Sequence, residues 1–362
     1  VNQTALYKVH VALGARMVDF AGWEMPVQYV GPLEEHHTVR AAAGLFDIDH
    51  MGQVTVEGPD GLAFLQSVVT SDVSRLNEGE AGYGLLCYAD GGTVDDLFVY
   101  RLPDRYFIAV NAGNRKKDVR WMQAHAWGHN VTVTDISDET YMLALQGPQA
   151  EAVLQAVTPA DLSRLAFHYA AESQVAGVKT LIGRTGYTGE DGFELFFDAT
   201  QAGRVWDALL EAGQPHGLKP IGLAARDSLR FEPCLPLYGN ELGPDISPLE
   251  AGLGWAVSFD KGPFIGREAL LKQRLEGPPR KLVAFEMEER GVPRHGYTLR
   301  VDGETGAVTS GMYAPTVERY VGLALIPAAY AEVGQSLEVD IHGRARAARV
   351  VEKPFYTPSY RH

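Results

Sequence analysis

Cysteine is almost missing: Cys87 and Cys234 are the only two in 362 residues. That is too few for a disulfide framework or a thiolate metal site, and it fits reducing surroundings. Long apolar runs are missing too, because charge or Gly/Pro interrupts every stretch before the ~20 residues a membrane helix needs. Val1 to His10 has neither an apolar signal core nor an Arg/Ser-rich transit character. A cytoplasmic protein that engages no membrane is expected. Positive charge is scarce: 32 Lys+Arg face 46 Asp+Glu, a formal net of −14, so no global field gathers nucleic-acid phosphates and an anionic partner needs a local basic surface. No Gly-x-Gly-x-x-Gly follows a strand, no phosphate-loop Lys-Ser/Thr occurs, and no Gly-x-Ser-x-Gly elbow is present, so nucleotide folds and acyl transfer lack support. His125 and His129 have metal-like spacing without a neighbouring acid or cysteine, and no metal is expected. His36 and His37 diverge on a helix and are expected to cap it or face solvent.

What is present supports a folded, multi-domain chain. Hydrophobic residues make up 46% and charged residues 22%, ordinary globular proportions, and the length corresponds to two or three domains of ~150 residues. One internal repeat stands out. Gly58-Pro59 opens a stretch ending Asp72-Val73-Ser74-Arg75-Leu76, and Gly147-Pro148 opens another ending Asp161-Leu162-Ser163-Arg164-Leu165, offset by 89 with ten of nineteen positions identical. Each carries apolar residues at helical spacing (Leu62, Leu65, Val68; Val153, Leu154, Val157). Duplication explains this better than convergent helix-start chemistry.

After each copy come an extended segment, a Gly-rich turn and a strand bearing a carboxylate. Tyr83 to Tyr88 leads through Asp90-Gly91-Gly92 into Val94 to Tyr100; Val178 to Arg184 leads through Thr188 to Gly192 into Phe193 to Phe197. Alternation puts Asp96 on one face with Phe98 and Tyr100, and Asp95 on the other with Leu97 and Val99; Glu194 lies opposite Phe193, Leu195 and Phe197. A carboxylate among large apolar side chains loses water at a cost of several kcal/mol unless it is paired. Two such acids in equivalent places of related halves suggest a cleft holding a ligand with hydrogen-bond donors. A solvated pair at the start of the strand is the alternative for Asp95-Asp96.

Gln201 to Ala212, Gly222 to Glu232 and Gly266 to Leu275 read as helices. The second carries Arg226 and Arg230 one turn apart, a pattern that ordinarily makes salt bridges. Gly277-Pro278-Pro279 marks a linker, and from Lys281 onward strands alternate with Gly/Pro turns, as in a small β-barrel or sandwich of about 80 residues.

Particular strings then define a resemblance. Val18 to Pro26, Leu45-Phe46-Asp47 with His50-Met51-Gly52, Gly91 to Tyr100, Arg184 to Leu195, and Leu223 to Arg226-Asp227 resemble the T-protein family of the glycine cleavage system, in order, from about Leu6 to Tyr360. The resemblance implies an α+β fold, a three-domain clover-leaf with two related α+β domains around a central folate site and a C-terminal β-barrel. The corresponding boundaries are 1–50 plus 138–275, 51–137 and 276–362. It implies an aminomethyltransferase, with tetrahydrofolate as co-substrate and no metal, that converts aminomethyl-dihydrolipoyl H protein to dihydrolipoyl H protein, ammonia and methylenetetrahydrofolate. The lipoylated H protein is then the partner, and nucleic acid is not.

Carried over position by position, the resemblance makes Asp96 the catalytic acid nearest the folate's reacting nitrogens. Glu194 becomes the acceptor for the pterin N–H groups, Tyr187 and Tyr83 line the ring, Arg226 contacts folate, and Asn111, Met51 and Tyr360 join the site more weakly. Phe167-His168 stands where some relatives have consecutive aromatic hydroxyls, Leu235 where a pocket tyrosine is expected, and Asp49 where a small residue is common. Two other readings share the fold. One is a folate-dependent demethylase of a small sulfonium or methylamine acid, which would need no H protein. The other is a non-catalytic folate-binding maintenance protein, whose Lys-Gly-Cys-aromatic-x-Gly-Gln-Glu is absent, Glu232 to Glu241 occupying the comparable place.

Overall fold

The computed structural model describes residues 1–357; Tyr360 lies outside the described residues. Strand β1 (Asn2–Gln3), helix α1 (Tyr7–Ala12), and strands β2 (Arg16–Phe20) and β3 (Trp23–Gln28) open the chain, followed by α2 (Pro32–Ala41) and β4 (Gly44–Asp47). The first repeat copy comprises β5 (Gly52–Glu57), α3 (Gly61–Val68), β6 (Ala81–Cys87), β7 (Thr93–Arg101), β8 (Tyr106–Val110), α4 (Arg115–His125) and β9 (Thr132–Asp135). The second comprises β10 (Thr140–Gln146), α5 (Ala150–Gln155), β11 (Ala170–Val175), β12 (Val178–Gly183), β13 (Gly192–Asp198), α6 (Ala202–Gly213) and β14 (Lys219–Pro220). Helices α7 (Leu223–Phe231) and α8 (Arg267–Glu276) precede β15 (Arg280–Met287), β16 (Thr298–Val301), β17 (Glu304–Ala314), β18 (Arg319–Pro327), β19 (Ser336–Ile341) and β20 (Arg344–Val351). The fold is α+β and its last six strands form a closed barrel, β15-β18-β17-β16-β19-β20.

The repeat is structural as well as sequential. The copies build sheets ordered β6-β7-β8-β5-β9 and β11-β12-β13-β10-β4-β14, the second receiving β4 as an extra strand. Asp72 and Asp161 each accept from the backbone N–H two residues on at 3.2 Å and from that serine's hydroxyl at 2.5 Å, capping matching 3₁₀ turns. Gln66 and Gln155 each accept a backbone N–H at 3.0 Å, from Val73 and Leu162. Every one of these pairs keeps the offset of 89. Where the copies meet, Glu80 bridges its own equivalent, Tyr169, while Ala81 N–H donates to His168 O and Ala170 N–H to Gly79 O, both at 2.7 Å. Reciprocal contacts between equivalent residues are what a local two-fold axis produces.

This register corrects one expectation. Sheet order makes β7 the counterpart of β12 and β8 the counterpart of β13, so Asp96 on β7 and Glu194 on β13 do not occupy equivalent places. The turn between β11 and β12 is only Ala176-Gly177, both with positive φ, and it lacks the Gly-rich look of the 184–191 loop, which invited the wrong alignment.

Each sheet packs its helices on one face. Phe193, Leu195 and Phe197 join Trp206 and Leu209 of α6; Leu97 and Val99 join Val119 and Met122 of α4. The opposite faces meet in a shared core of Phe46, Tyr100, Phe107, Ala144 and Phe196. Residues between α7 and α8, with Leu270 of α8, pack on Leu85 and Cys87 of β6. His36 departs from expectation: it is fully buried, sharing Ser228 Oγ at 2.7 Å and Thr316 Oγ1 at 2.8 Å, because α2 is sandwiched between α7 and the barrel; His37 faces solvent.

The start of the chain is pinned to β4 through Asp47, which accepts from Thr4 Oγ1 at 2.7 Å and Tyr141 OH at 2.9 Å and pairs with His10 at 2.8 Å. Asp49 lies beside it, its carboxylate accepting Met142 N–H at 3.2 Å. Burial, and next the Asp47 charge, push Asp49 up from 3.8 to about 9. A raised acid contributes stability that is full below its ordinary value and lost as pH rises through the folded one. Asp49→Asn keeps the acceptor without the charge, so it is expected to stabilise the fold by on the order of 1–2 kcal/mol near neutral pH, the gain vanishing near pH ~4. Denaturant titrations at both pH values check this, and a pH-independent difference would contradict it.

Candidate active site

Strand alternation decides which acid of the Asp95-Asp96 pair reaches the cleft. Leu97 and Val99 point into the α4 core and Asp95 goes with them, wholly buried. Asp96 emerges on the other face, embedded yet still in contact with solvent. Its Oδ2 accepts Tyr83 OH at 3.0 Å and its Oδ1 accepts Asn111 Nδ2 at 2.7 Å. The same Asn111 amide donates to Asp95 Oδ1 at 2.9 Å, and Asn114 Nδ2 reaches that oxygen at 2.8 Å. Burial, and then the Asp95 charge, push Asp96 up from 3.8 to about 7, the range in which a carboxyl can exchange a proton at physiological pH.

Glu194 projects from β13 on the shared-core side. Thr185 Oγ1 donates to its Oε2 at 2.6 Å and Tyr100 OH at 3.3 Å. Tyr100 sits one turn of alternation beyond Phe98 on the strand that carries Asp96, and its hydroxyl lies 2.9 Å from Thr185. One tyrosine from the first copy therefore locks the acid of the second. Burial raises Glu194 above the usual carboxylate range, against the pull of Thr185 and Arg226.

The two arginines of α7 separate cleanly. Arg230 is buried and spent on structure, pairing with Glu241 at 3.0 Å and Asp227 at 2.8 Å and donating to Ser310 Oγ at 3.0 Å. Arg226 makes no hydrogen bond or ion pair among the described residues; its guanidinium sits over the Tyr187 ring, 4.9 Å from the centroid. Burial lowers its proton affinity and Glu194 and Tyr187 oppose the loss. A nearly enclosed cation with unused donors is costly unless something completes it. Tyr187 itself feels the charges of Asp96 and Arg226 and donates its hydroxyl to Pro236 O. Asp96 thus holds Tyr83, and Tyr187 feels both Asp96 and Arg226, with Glu194 acting on Arg226 in turn.

Aromatic faces line the approach. Tyr83 stacks on Trp255 at 5.4 Å and meets Phe98 edge-on at 5.8 Å; His168 meets Phe98 at 5.4 Å and stacks with exposed Phe167 at 3.9 Å. Phe167-His168 therefore gives this rim ring faces where hydroxyls were expected. Met51 packs against the shared core. Beside it His50 is buried, its Nδ1 without a partner among the described residues; burial, and then Arg226, push it down to about 3, which keeps it neutral.

Sequence reasoning missed Asn114, His50 and Asp118. Asp118 had a signal: it shares a face of α4 with core residues Val119 and Met122, a helical position where an acid is out of place. Among the described residues, no group of three or more His, Cys, Asp or Glu could hold a metal ion.

Two related α+β halves that bring carboxylates, an arginine without an ion pair among the described residues and aromatic rings together define the class of fold and site. Comparison with known proteins says which. Residues 6–261 match the GCVT N-terminal domain family and residues 280–357 the glycine cleavage T-protein C-terminal barrel domain. The aminomethyltransferase of Symbiobacterium thermophilum is 52% identical over 100% of this chain and 99% of its own length, and that of Caldanaerobacter subterraneus subsp. tengcongensis is 49% identical over 100% and 97%. The crystal structure of the glycine cleavage system aminomethyltransferase T from Bartonella henselae superposes with a TM-score of 0.93 at 37% identity, covering 99% of both chains. The chain belongs to the aminomethyltransferase family, the T proteins of the glycine cleavage system, and is an enzyme of one-carbon group transfer rather than a demethylase or a maintenance protein.

Proposed function

We propose that the cleft takes tetrahydrofolate as co-substrate and receives the aminomethyl group from the lipoyl arm of an H protein in the cytoplasm, releasing ammonia. The observation that carries this is the unmatched polar set. Glu194 offers acceptor capacity beyond its two hydroxyl donors, Arg226 makes no ion pair or hydrogen bond among the described residues although the Glu194 charge acts on it, and Asp96 adds a second carboxylate beside Tyr83. A reduced pterin has a row of N–H donors, a carbonyl oxygen and a flat ring, and this chemistry fits. The sheets and barrel also support three units divided as 1–50 with 138–275, 51–137 and 276–362, except that the segment from Leu242 to Leu270 packs on β6 of the second. No helix among the described residues is long and apolar enough to cross a membrane.

When bound, tetrahydrofolate supplies the amine nucleophile that receives the one-carbon unit. Glu194, fixed by Tyr100 and Thr185, accepts the ring's N–H donors and sets its orientation. Tyr83, Tyr187 and Met51 enclose the ring and exclude water, which strengthens every charge interaction inside. Asp96, held by Tyr83 and Asn111, presents negative charge where positive charge develops on nitrogen. Ordering the reactants contributes up to ~7–11 kcal/mol to such reactions.

The test is Glu194→Gln. An amide replaces one acceptor oxygen with a donor facing donors, so tetrahydrofolate affinity is expected to fall by ~10–100-fold, measured by calorimetry, with the thermal midpoint of the free protein little changed. Unchanged affinity would remove the pterin role.

A further inference from the structure

Helix α4 carries Asp118 into the core beneath β7, where it is fully buried. Among the described residues neither of its oxygens meets a hydrogen-bond donor; the group in hydrogen-bonding reach is another carboxyl, that of Asp95. Asp95 is also buried and is already engaged by the Asn111 N–H at 3.2 Å and by the Asn111 and Asn114 amides. The charged and titratable groups facing Asp118 are Asp95 and Asp96 from β7, Lys117 from its own helix, and Tyr238 from the segment after α7. Lys117 is diverted: its ammonium donates to Val94 O and to Tyr238 OH, the latter at 3.1 Å, and its ring contact is also with Tyr238. Two ionised carboxyls at hydrogen-bond separation, without a donor or metal between them, repel strongly in a low-dielectric interior. A single proton turns that repulsion into a hydrogen bond, and it belongs on the partner with no other donor.

We propose that Asp118 is a positioning residue for the transfer reaction: a carboxylic acid that stays protonated and donates its O–H to Asp95, steadying the Asp95–Asn111 pair that presents Asp96 to the cleft. The Asn111 amide is the link, since it donates at once to Asp95 Oδ1 and Asp96 Oδ1. The burial and Asp95 contact that hold Asp118 up at about 11 agree with this geometry. The mechanical consequence is specific. With its donor in place Asp95 has a full set of partners; without it, Asp95 competes with Asp96 for Asn111.

The effect on turnover rests on the role given above to Asp96, but the proton itself does not. Difference infrared spectra near pH ~9, between the about 7 of Asp96 and the about 11 of Asp118, are expected to show a protonated-carboxyl stretch that Asp118→Asn lacks and Asp96→Asn retains; Asp49→Asn identifies the contribution of Asp49. In turnover, Asp118→Asn, whose amide replaces the O–H donor, should keep kcat within about twofold and leave the pH midpoint in place. Asp118→Leu, similar in size without a donor, should lower kcat by about tenfold at little-changed KM and move the midpoint up by roughly half a unit or more. A spectrum unaltered by Asp118→Asn, or identical profiles for the two variants, overturns the proposal. If the leucine variant does not fold, the spectrum and the asparagine profile decide. Full turnover in Asp96→Asn would remove the reading of Asp96 while leaving the Asp118 band as it is.

Discussion

Asp96→Asn is expected to lower kcat by on the order of 10²-fold or more, about 2.7 kcal/mol of transition-state stabilisation, with tetrahydrofolate affinity within about threefold of the parent. The amide is isosteric and keeps one oxygen for Tyr83 or Asn111, so the cleft retains its shape. What disappears is the negative charge, and that charge matters most when positive charge develops on nitrogen. The parent's own pH dependence follows from the same group. Burial and the Asp95 charge hold the Asp96 proton up to about 7, so the ionised form becomes dominant, and kcat rises, as pH increases through that value; the variant should lose this limb. Single-turnover measurements with an aminomethylated lipoyl carrier, against calorimetric affinities, separate chemistry from binding. Near-normal turnover, or a lost limb with unchanged kcat at high pH, would refute the assignment. A general-base duty is secondary, because an amine nucleophile is already unprotonated near neutral pH.

How far the sequence alone reached depends on the range of the interaction. Alternation along 93–101 correctly turned Asp96 toward Tyr100 and Asp95 toward Leu97, because strand geometry is local. The duplicated helix-start segments were visible as an offset of 89 and proved to carry duplicated caps. The alignment of the strands after them slipped by one, because a two-residue turn at Ala176-Gly177 gives a weaker signal than a Gly-rich loop. Contacts across long separations were invisible. Nothing in a helical Arg226/Arg230 pair says that Glu241 and Ser310 claim the second and leave the first open. His36 read as a surface histidine because its partners, Ser228 and Thr316, lie 192 and 280 residues away. Asp118 was legible in principle from the register of α4, but its meaning required knowing that Asp95 sits above it.

Glu232→Ala is expected to cost on the order of 3–5 kcal/mol of stability at neutral pH, because this one carboxylate ties four parts of the chain together. Its side chain is fully buried and pairs with Arg40 at 2.8 Å and His36 at 3.2 Å, both on α2; its Oε1 accepts Thr316 N–H of the barrel side at 2.7 Å. Arg40 in turn reaches Glu190 at 3.2 Å, which accepts Tyr356 OH at 2.7 Å. The alanine variant leaves a buried guanidinium without one of its two carboxylate partners and the Thr316 N–H unpaired. Burial alone would raise Glu232, but His36, followed by Thr316 and Arg40, outweighs it and holds the group down at about 2. A depressed acid contributes stability that is full above its ordinary 4.5 and lost as pH falls through about 2. The gap between parent and variant should therefore be widest above pH ~5 and shrink by roughly 3 kcal/mol toward pH ~2. Guanidinium unfolding followed by circular dichroism across that range measures it. A deficit below about 1 kcal/mol at neutral pH, or one that does not change with acid, would mean that the tie between α2, α7 and the barrel rests on packing instead of this charge.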